Sequence, residues 1–249
     1  MSRRVWIIVV AIVIIFLGLL AGINYAAVVA SKSTNSNSTN TATSTSPDTV
    51  PTQATTNSTQ VCGASVSASD LRTFQIVPQQ TTASYKVREN LIAFNLPAHN
   101  AVGTTHKVTG HFNISRQGTP LVANMNMTVD LRDLHSDSST RDDYVRKDYL
   151  ETDKYPNAIF KSTCAQNLPK TYQDGQQVTF QMPGDLTVHG KTKQATFLVQ
   201  GKVVGNTITG TATTTVLMSQ FGIAPPNLAN FVVAEDKTVI TIEFTAKEG

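Results

Sequence analysis

The stretch that decides the fold is VANMNMTVDL, residues 122–131. Apolar side chains at Ala123, Met125, Met127, Val129 and Leu131 alternate here with Asn, Thr and Asp. A period of two is typical of a β-strand that buries one face and exposes the other. The pattern therefore predicts a half-buried strand.

The same alternation recurs on both sides of this strand. It is found in residues 108–114, 178–182, 197–199, 208–216 and 240–244. Turn-forming residues lie between these segments, at 116–120, 174–175, 189–191 and 205–206. The order of strands and turns predicts an all-β domain built from antiparallel hairpins.

Strands with one apolar face each form either a sandwich or a closed barrel, and periodicity alone does not choose between them. Gly201, Gly205, Gly210 and Ala212 fall in or between two of the predicted strands. Small residues suit tight bends, or a wall that leaves space inside it. This pattern favours the barrel.

One segment, residues 138–150, departs from the strand pattern. It offers Ser and Thr as helix caps and acids in the first turn, with Val145 and Tyr149 at i,i+4 spacing. We expect one short helix there, flanking the barrel. Arg141 and Asp142 fit a capping and salt-bridge role better than a catalytic one.

The N-terminus predicts a membrane anchor over residues 1–30. Residues 5–30 carry no charge, and a helix of this length measures about 39 Å against a hydrocarbon core of about 30 Å. Arg3 and Arg4 precede the run and Lys32 follows it, so the N-terminus is expected in the cytoplasm and the remainder outside. The alternative is a signal peptide cleaved near residues 28–30, which would release the domain as a secreted protein.

Residues 31–60 are rich in Ser, Thr and Asn, a composition that predicts a disordered linker. Thirty such residues reach about 30 Å on average. Residues 61–249 are long enough for one folded domain with its own core. The net charge of +3 is small and spread along the chain, so a nucleic-acid partner is not expected.

The chain contains two cysteines, Cys62 and Cys164. In an oxidising compartment they would form a disulfide across a loop of about 100 residues, which the chain-entropy model values at about 4–5 kcal/mol. Two free, buried thiols are the alternative. We expect the disulfide.

Several further segments, taken in order, resemble the YceI family. They are Arg141-Asp142, Tyr149-Leu150-Glu151, YPNAIFKST at 155–163, GDLTVHGKTK at 184–193, SQFGI at 219–223 and TIEF at 241–244. The resemblance covers nearly all of residues 72–247. It implies an extended, eight-stranded antiparallel barrel of lipocalin-like shape with a helix beside it. It also implies a long-tailed amphiphile, a polyisoprenoid or an isoprenoid quinone, in an apolar bore.

The apolar face of the predicted strands supplies candidate lipid-binding residues. They are Phe112, Ile114, Met125, Met127, Val129, Phe160, Phe180, Phe197, Val199, Ile240 and Ile242. Alternation identifies the inner face but not the part of the bore that is empty. The methionine pair could be core, or could line an adaptable lipid pocket.

The sequence lacks the motifs of nucleotide, hydrolase and zinc-protease sites, so we expect neither an enzyme nor a cofactor. Its five histidines lack close ligand spacing, and no metal site is expected. The function that these features favour is a membrane-anchored, extracytoplasmic lipid-binding protein. The alternative is an envelope stress or protein-interaction module with a filled, ligand-free barrel.

Overall fold

The structure is a computed structural model that describes residues 58–61, 64–67, 70–90, 98–115, 120–228 and 232–249. Its strands are β1 (Ser58–Val61), β2 (Ala64–Ser67), β3 (Leu71–Ile76), β4 (Thr82–Asn90), β5 (His99–Thr105), β6 (Val108–Ser115), β7 (Val122–Asp130), β8 (Asn157–Cys164), β9 (Gln177–Val188), β10 (Lys191–Val204), β11 (Thr207–Leu217), β12 (Asn227–Leu228) and β13 (Val232–Glu248). Strands β1 and β2 form a separate two-stranded sheet. The remaining strands form one sheet.

That sheet closes on itself. From β6 to β11 each strand pairs antiparallel with the next, β11 pairs with β13, β13 with β3, and β3 with β6. The cycle contains eight strands, which confirms the predicted eight-stranded antiparallel barrel. Strand β4 continues β3 beyond a short 3₁₀ turn, Pro78–Gln80, and pairs with β5 and with residues 233–243 of β13.

The alternation works as predicted in β7, where Ala123, Met125 and Met127 are buried in the core. Leu131 is also buried, but it begins a 3₁₀ turn, Leu131–Asp133, because the strand ends at Asp130. Apolar side chains of the sheet thus collect inside the barrel and form a single core cluster.

Two predicted turns join the longest hairpins. His189 and Gly190 connect β9 to β10 with φ of 51° and 68°, and Gly205 begins the β10–β11 turn with φ of 57°. Positive φ at both central residues, as at His189 and Gly190, or at the first one alone, as at Gly205, is the geometry of a two-residue β-hairpin turn. These turns set the register of the strands on either side.

Gly201 and Gly210 serve close packing between strands and not a turn. They face each other across the β10–β11 pair. A methyl group on Gly210 would collide with the Gln200 carbonyl oxygen and with the ring of Phe244. The missing side chain at Gly210 therefore leaves room for the neighbouring strand and for the ring of Phe244 inside the barrel.

The predicted helix is present as α1 (Ser139–Tyr144), followed without a break by a π-helical turn, Val145–Tyr149. Ser138 caps α1 because its hydroxyl oxygen accepts a hydrogen bond from the Arg141 amide. These two turns are the helical insertion between β7 and β8.

The predictions of an anchor, a linker and a disulfide involve residues that the structure does not describe. The predicted anchor and almost all of the predicted linker lie outside the described residues, and the helices that are described are too short to cross a bilayer. Cys164 ends β8 and is disulfide-bonded. Its expected partner, Cys62, also lies outside the described residues, so this pairing stays a prediction.

Candidate functional site

A cavity of about 180 Å³ lies in the barrel at the end nearest α1, and we call it the helix-end cavity. Strands β4, β5 and β13 line one side of it, and the helical insertion lines another. Most of the lining is apolar, including Val87, Leu131, Leu150 and Ile223. An apolar chamber of this kind favours hydrocarbon over water.

The space exists because several inward positions carry alanine. Ala83, Ala101, Ala158 and Ala234, on four different strands, all line the helix-end cavity. Each occupies a position where a larger side chain would project into the chamber. The small residues at these inward positions therefore leave the space that forms the chamber.

The middle of the bore is filled. Its lining includes Phe112, Met125, Met127, Phe160, Met182 and Phe197, and we call these six residues the packed middle. The rings of Phe160 and Phe197 meet edge to face with centroids 4.8 Å apart. The void among them is about 20 Å³, roughly the space of one water molecule.

A second chamber of about 70 Å³, the far cavity, lies beyond the packed middle. Phe112, Met125, Val199 and Phe244 line both the far cavity and the central void, whereas Ile242 lines the central void and the helix-end cavity. The shared residues place the packed middle between the two chambers. The bore is thus divided.

All eleven lipid-binding candidates from the sequence line this bore, but they are distributed unevenly. Only three of them reach the helix-end cavity: Val129, Ile240 and Ile242. The other eight line the central void or the far cavity: Phe112, Ile114, Met125, Met127, Phe160, Phe180, Phe197 and Val199. Their position is established, while their contact with a lipid stays a prediction.

Four of the residues that line the helix-end cavity are polar, Tyr85, Glu89, Arg141 and Thr238, and we call them the polar wall, although the surface facing the cavity is almost all apolar. Arg141 reaches it from α1, and its guanidinium pairs with Asp137 and lies 3.8 Å from the Glu89 carboxylate. The same carboxylate is 3.2 Å from the imidazole of His99. The charges of this wall are therefore largely engaged with one another.

Two uncharged groups complete the polar wall. Burial raises the pKa of Tyr85 from 10.0 to about 12, so its hydroxyl stays protonated at neutral pH. The Thr238 hydroxyl is buried and makes no hydrogen bond to any described residue. The oxygen of this hydroxyl is enclosed by its neighbours and adds almost nothing to the surface of the cavity.

His189 contacts two of the segments that line the helix-end cavity, those that contain Glu151 and Phe221. Its Nε2 lies 2.6 Å from the Glu151 carboxylate, and its Nδ1 lies 3.3 Å from the carbonyl oxygen of Phe221. Glu151 directly follows Leu150, and both Leu150 and Phe221 line the cavity. These two contacts of the imidazole hold the segments that contain Glu151 and Phe221 close to each other.

Sequence reasoning missed most of the helix-end cavity. Strands β4 and β5 lie outside the segments whose alternation we used, although Ala83, Tyr85, Val87 and Glu89 do alternate with outward residues along β4. Alanines at inward positions are the signal that could have located the chamber. The polar wall gives no such signal because residues 89, 141 and 238 come from distant parts of the chain. Within the described ranges, no group of three His, Cys, Asp or Glu side chains is arranged to hold a metal ion.

Comparison with known proteins agrees with this architecture. Residues 74–246 match the family model of the YceI-like domain. A UPF0312 protein of Photorhabdus laumondii is 34% identical over 92 residues, which are 36% of this chain and 43% of that protein. The chain spans about half the length of the curated relatives it matches.

Two solved structures share the fold. BcnA of Burkholderia cenocepacia superposes with a TM-score of 0.54 at 19% identity, covering 69% of this chain and 99% of that one. A polyisoprenoid binding domain from Saccharophagus degradans gives a TM-score of 0.54 at 12% identity, covering 71% and 98%. At such identities the likeness supports the barrel fold and no more.

Proposed function

Because the chain belongs to the YceI-like domain family, we propose that its barrel binds a long-chain amphiphile, a polyisoprenoid or an isoprenoid quinone. The observation that carries this proposal is the apolar helix-end cavity, held open by alanines inside a closed barrel. The polyisoprenoid-binding domain of Saccharophagus degradans, which shares the fold, supports the same ligand class.

The size of the cavity limits how such a lipid would bind. A cavity of about 150 Å³ accepts one benzene molecule, so the helix-end cavity at about 180 Å³ holds only a short piece of an isoprenoid tail. Burial of each methylene gains about 0.8 kcal/mol, whereas association costs an estimated 4–15 kcal/mol. About five buried methylenes offset the lower estimate of that cost and about nineteen offset the upper one, so a tail near twenty carbons long covers the whole range.

A tail of that length would extend through the packed middle into the far cavity. Met125, Met127 and Met182 are well suited to give way, because each methionine has three rotatable side-chain bonds and no branch. We propose that the lipid enters at the helix end and displaces these thioethers. The ligand-bound bore would then be continuous.

The proposed place of this barrel is the outer face of a membrane. The charge-free run at 5–30 and the arginines before it support a single-pass anchor with a cytoplasmic N-terminus. A linker over residues 31–60 would keep the barrel within about 30 Å of the bilayer that dissolves such lipids. Storage or local hand-off suits a tethered carrier better than long-distance shuttling. Cleavage near residues 28–30 would instead release a secreted carrier.

We propose binding without turnover, because the lining is mostly apolar and the charges of the polar wall are paired. A second candidate function rests on the packed middle. If those side chains stay in place, the barrel is a solid scaffold, and the protein is an envelope stress or interaction module. The two functions differ in whether lipid enters the bore.

The test is direct extraction of lipid from the purified full-length chain, followed by mass spectrometry. A parallel uptake assay uses geranylgeraniol, a C20 isoprenoid alcohol, and measures the amount that coelutes with the protein. We expect about one isoprenoid lipid per chain. Absence of lipid in the extract together with no uptake of the alcohol would contradict the proposal and favour the solid scaffold.

Blocking the chamber gives a matched pair of variants on β5. Ala101→Phe places a ring in the helix-end cavity, because Ala101 is buried and lines it. We expect uptake to fall at least tenfold, at a stability loss of about 1–3 kcal/mol from overpacking. Val102→Phe is the control, because Val102 is 42% exposed on the outer face of the same strand. Ala101→Val is a milder version in case the larger ring prevents folding.

A further inference from the structure

Two segments outside the sheet help to enclose the helix-end cavity. The helical insertion contributes Val145 and Tyr149 to the lining, and the 3₁₀ turn Met218–Phe221 contributes both of its end residues. The strands around the cavity differ from these segments, because backbone hydrogen bonds join each strand to its neighbours, as they join β13 to β4 and to β11. A lipid tail that passed between paired strands would break several of these bonds at once. The route that breaks the fewest hydrogen bonds therefore lies between the two segments.

The β9–β10 turn contacts both segments. Nε2 of His189 lies 2.6 Å from the Glu151 carboxylate, and Nδ1 lies 3.3 Å from the Phe221 carbonyl oxygen. The next part of the turn reinforces the second contact, because the Lys191 side chain lies against Gly222, where a Cβ atom would collide with it. We call His189, with its contacts to Glu151 and Phe221, the clasp.

The clasp lies beside the cavity and not in it. The lining includes Val188 and Leu150, but neither of their chain neighbours His189 and Glu151. The clasp therefore acts on the two segments and does not contact a lipid tail in the chamber.

The helical insertion is irregular close to the clasp. Its second turn, Val145–Tyr149, is π-helical, and Glu151 shortly beyond it has a φ of 46°. A π-helical turn and a positive φ at a residue other than glycine are both uncommon, and both occur often at functional sites. The Glu151 side chain is 44% exposed, so water can replace its contact with His189 when the two separate. This side of the insertion can therefore open without leaving a buried carboxylate unpaired.

The opposite side of the insertion is fixed more firmly. Arg141 and Glu89 form an ion pair at 3.8 Å with side chains only 9% and 11% exposed. Just before the insertion, Thr104 and His135 exchange two backbone hydrogen bonds of 2.8 and 3.0 Å. Separation here would leave buried charges unpaired, which is strongly unfavourable. The insertion is therefore expected to stay attached to β4 and β5 and to open at the clasp.

We propose, building on the lipid-binding function above, that the helical insertion is a lid that the clasp holds shut, and that lipid enters and leaves between this lid and the turn Met218–Phe221. The clasp controls how fast the lipid exchanges and not how tightly it binds. The reason is that brief opening of a mostly closed lid speeds entry and release by the same factor, which leaves their ratio unchanged.

The test measures exchange of geranylgeraniol on the full-length chain. Deuterated alcohol is bound, an excess of unlabelled alcohol is added, and the label that stays on the protein is followed by mass spectrometry. Entry is followed in the same way from the lipid-free chain. For His189→Asn we expect entry and release each to be about tenfold faster, with a Kd changed by less than twofold. Asn tolerates the φ of 51° at this position, and its side chain is too short to make both contacts.

The control is His111→Asn, at an exposed histidine on β6, which should leave both rates unchanged. Faster release of lipid from His189→Asn with unchanged entry would overturn the proposal, because it would mean that His189 stabilises the bound lipid. Unchanged rates in His189→Asn would also overturn the clasp and leave the lipid-binding function standing. Failure of the wild-type chain to bind the alcohol would remove both.

A double substitution tests whether His189 and Glu151 act as one unit. Glu151→Asn removes the carboxylate and keeps a residue type that tolerates the positive φ at this position. We expect each single substitution to speed release, and the double substitution to be no faster than the faster single one, because both remove the same contact. Effects that multiply would show that the two residues act independently, and would overturn the clasp.

Hydrogen exchange on the wild-type chain tests the lid without any substitution. The amides of Leu150 and Thr152 donate to the carbonyl oxygens of Val145 and Arg146 within the insertion. We expect these two amides to exchange at least tenfold faster than those in the β9–β10 ladder, and to slow when geranylgeraniol binds. Protection equal to that of the ladder in the lipid-free chain would overturn the lid.

Discussion

The helix-end cavity and the packed middle lie in the same barrel and on the same inner face of its strands, yet one is open and the other is full. The difference lies in side-chain volume. Alanines occupy the inner face at the helix end, and phenylalanines and methionines occupy it in the middle. Alternation therefore predicts which residues face the inside of the barrel. The size of these inward residues determines where a ligand has room.

The two regions also differ in polarity. The packed middle is apolar apart from the sulfur atoms of its methionines, whereas the helix-end cavity carries the polar wall. The surface that faces the helix-end cavity is nonetheless almost all apolar, so both regions suit a hydrocarbon tail.

The largest expected effect comes from removing a ring in the packed middle. Phe160 is buried, packs against Phe197, and lies over Gly184, where a side chain would collide with its ring. Phe160→Ala should lower the free energy of unfolding by about 3–5 kcal/mol, because it removes apolar contact and leaves a cavity. Denaturant unfolding of the full-length chain measures this change in the free energy of unfolding.

The control is Lys161→Ala at the exposed neighbouring residue, which should change the free energy of unfolding by less than about 0.5 kcal/mol. A loss below about 1.5 kcal/mol for Phe160→Ala would mean that the middle is loosely packed.

A middle-sized effect is expected at high pH from Tyr85 in the helix-end cavity. Its pKa is about 12 in the folded chain and 10.0 for the free side chain, so the unfolded chain loses this proton first as pH rises. Stability present below pH 10 is therefore lost as pH rises through 12, by about 2–3 kcal/mol.

The measurement is unfolding of the wild-type chain and of Tyr85→Phe across this pH range. The difference between the two chains isolates Tyr85 from the lysines that titrate in the same range. A difference that does not change with pH would show that the phenol is solvated and that this side of the cavity is open to water.

The smallest expected effect concerns the helix beside the cavity. Ser138→Ala removes the cap of α1, and we expect a loss of about 1 kcal/mol together with faster hydrogen exchange at the Arg141 amide. Because Arg141 belongs to the polar wall, a frayed helix should also shorten the lifetime of bound geranylgeraniol. Ser139→Ala, exposed and one residue further along, is the control. Unchanged exchange at Arg141 in Ser138→Ala would show that packing alone holds the helix.

Much of the fold could be predicted from particular residues. The alternation through Met125 and Met127 located β7, the glycines at 190 and 205 located two hairpin turns, and the Ser/Thr-capped segment located α1. Closure into eight strands came from the family resemblance and not from periodicity. The reason is that pairing of β11 and β3 with β13 joins segments far apart in the chain.

The site was only partly predictable. The eleven candidates all line the bore, because inward orientation is a local property that alternation reveals. Whether free volume lies beside each candidate depends on the size of the side chains that the other strands place at the same height in the barrel. Thr238 and Arg141, for example, meet in one cavity only because β13 and α1 lie at the same end of the barrel.

The sequence by itself determined the six strands that show alternation, the hairpin turns between them, the helix and the inner face of those strands, since each depends on neighbouring residues along one segment. It also predicts the membrane anchor and the linker, which depend on composition. Only the tertiary structure decided that the bore is divided, that its open part lies beside α1, and that Tyr85, Glu89, Arg141 and Thr238 share one wall. Each of these features is formed by side chains from segments that are far apart in the chain. Those side chains come together only when the barrel is closed.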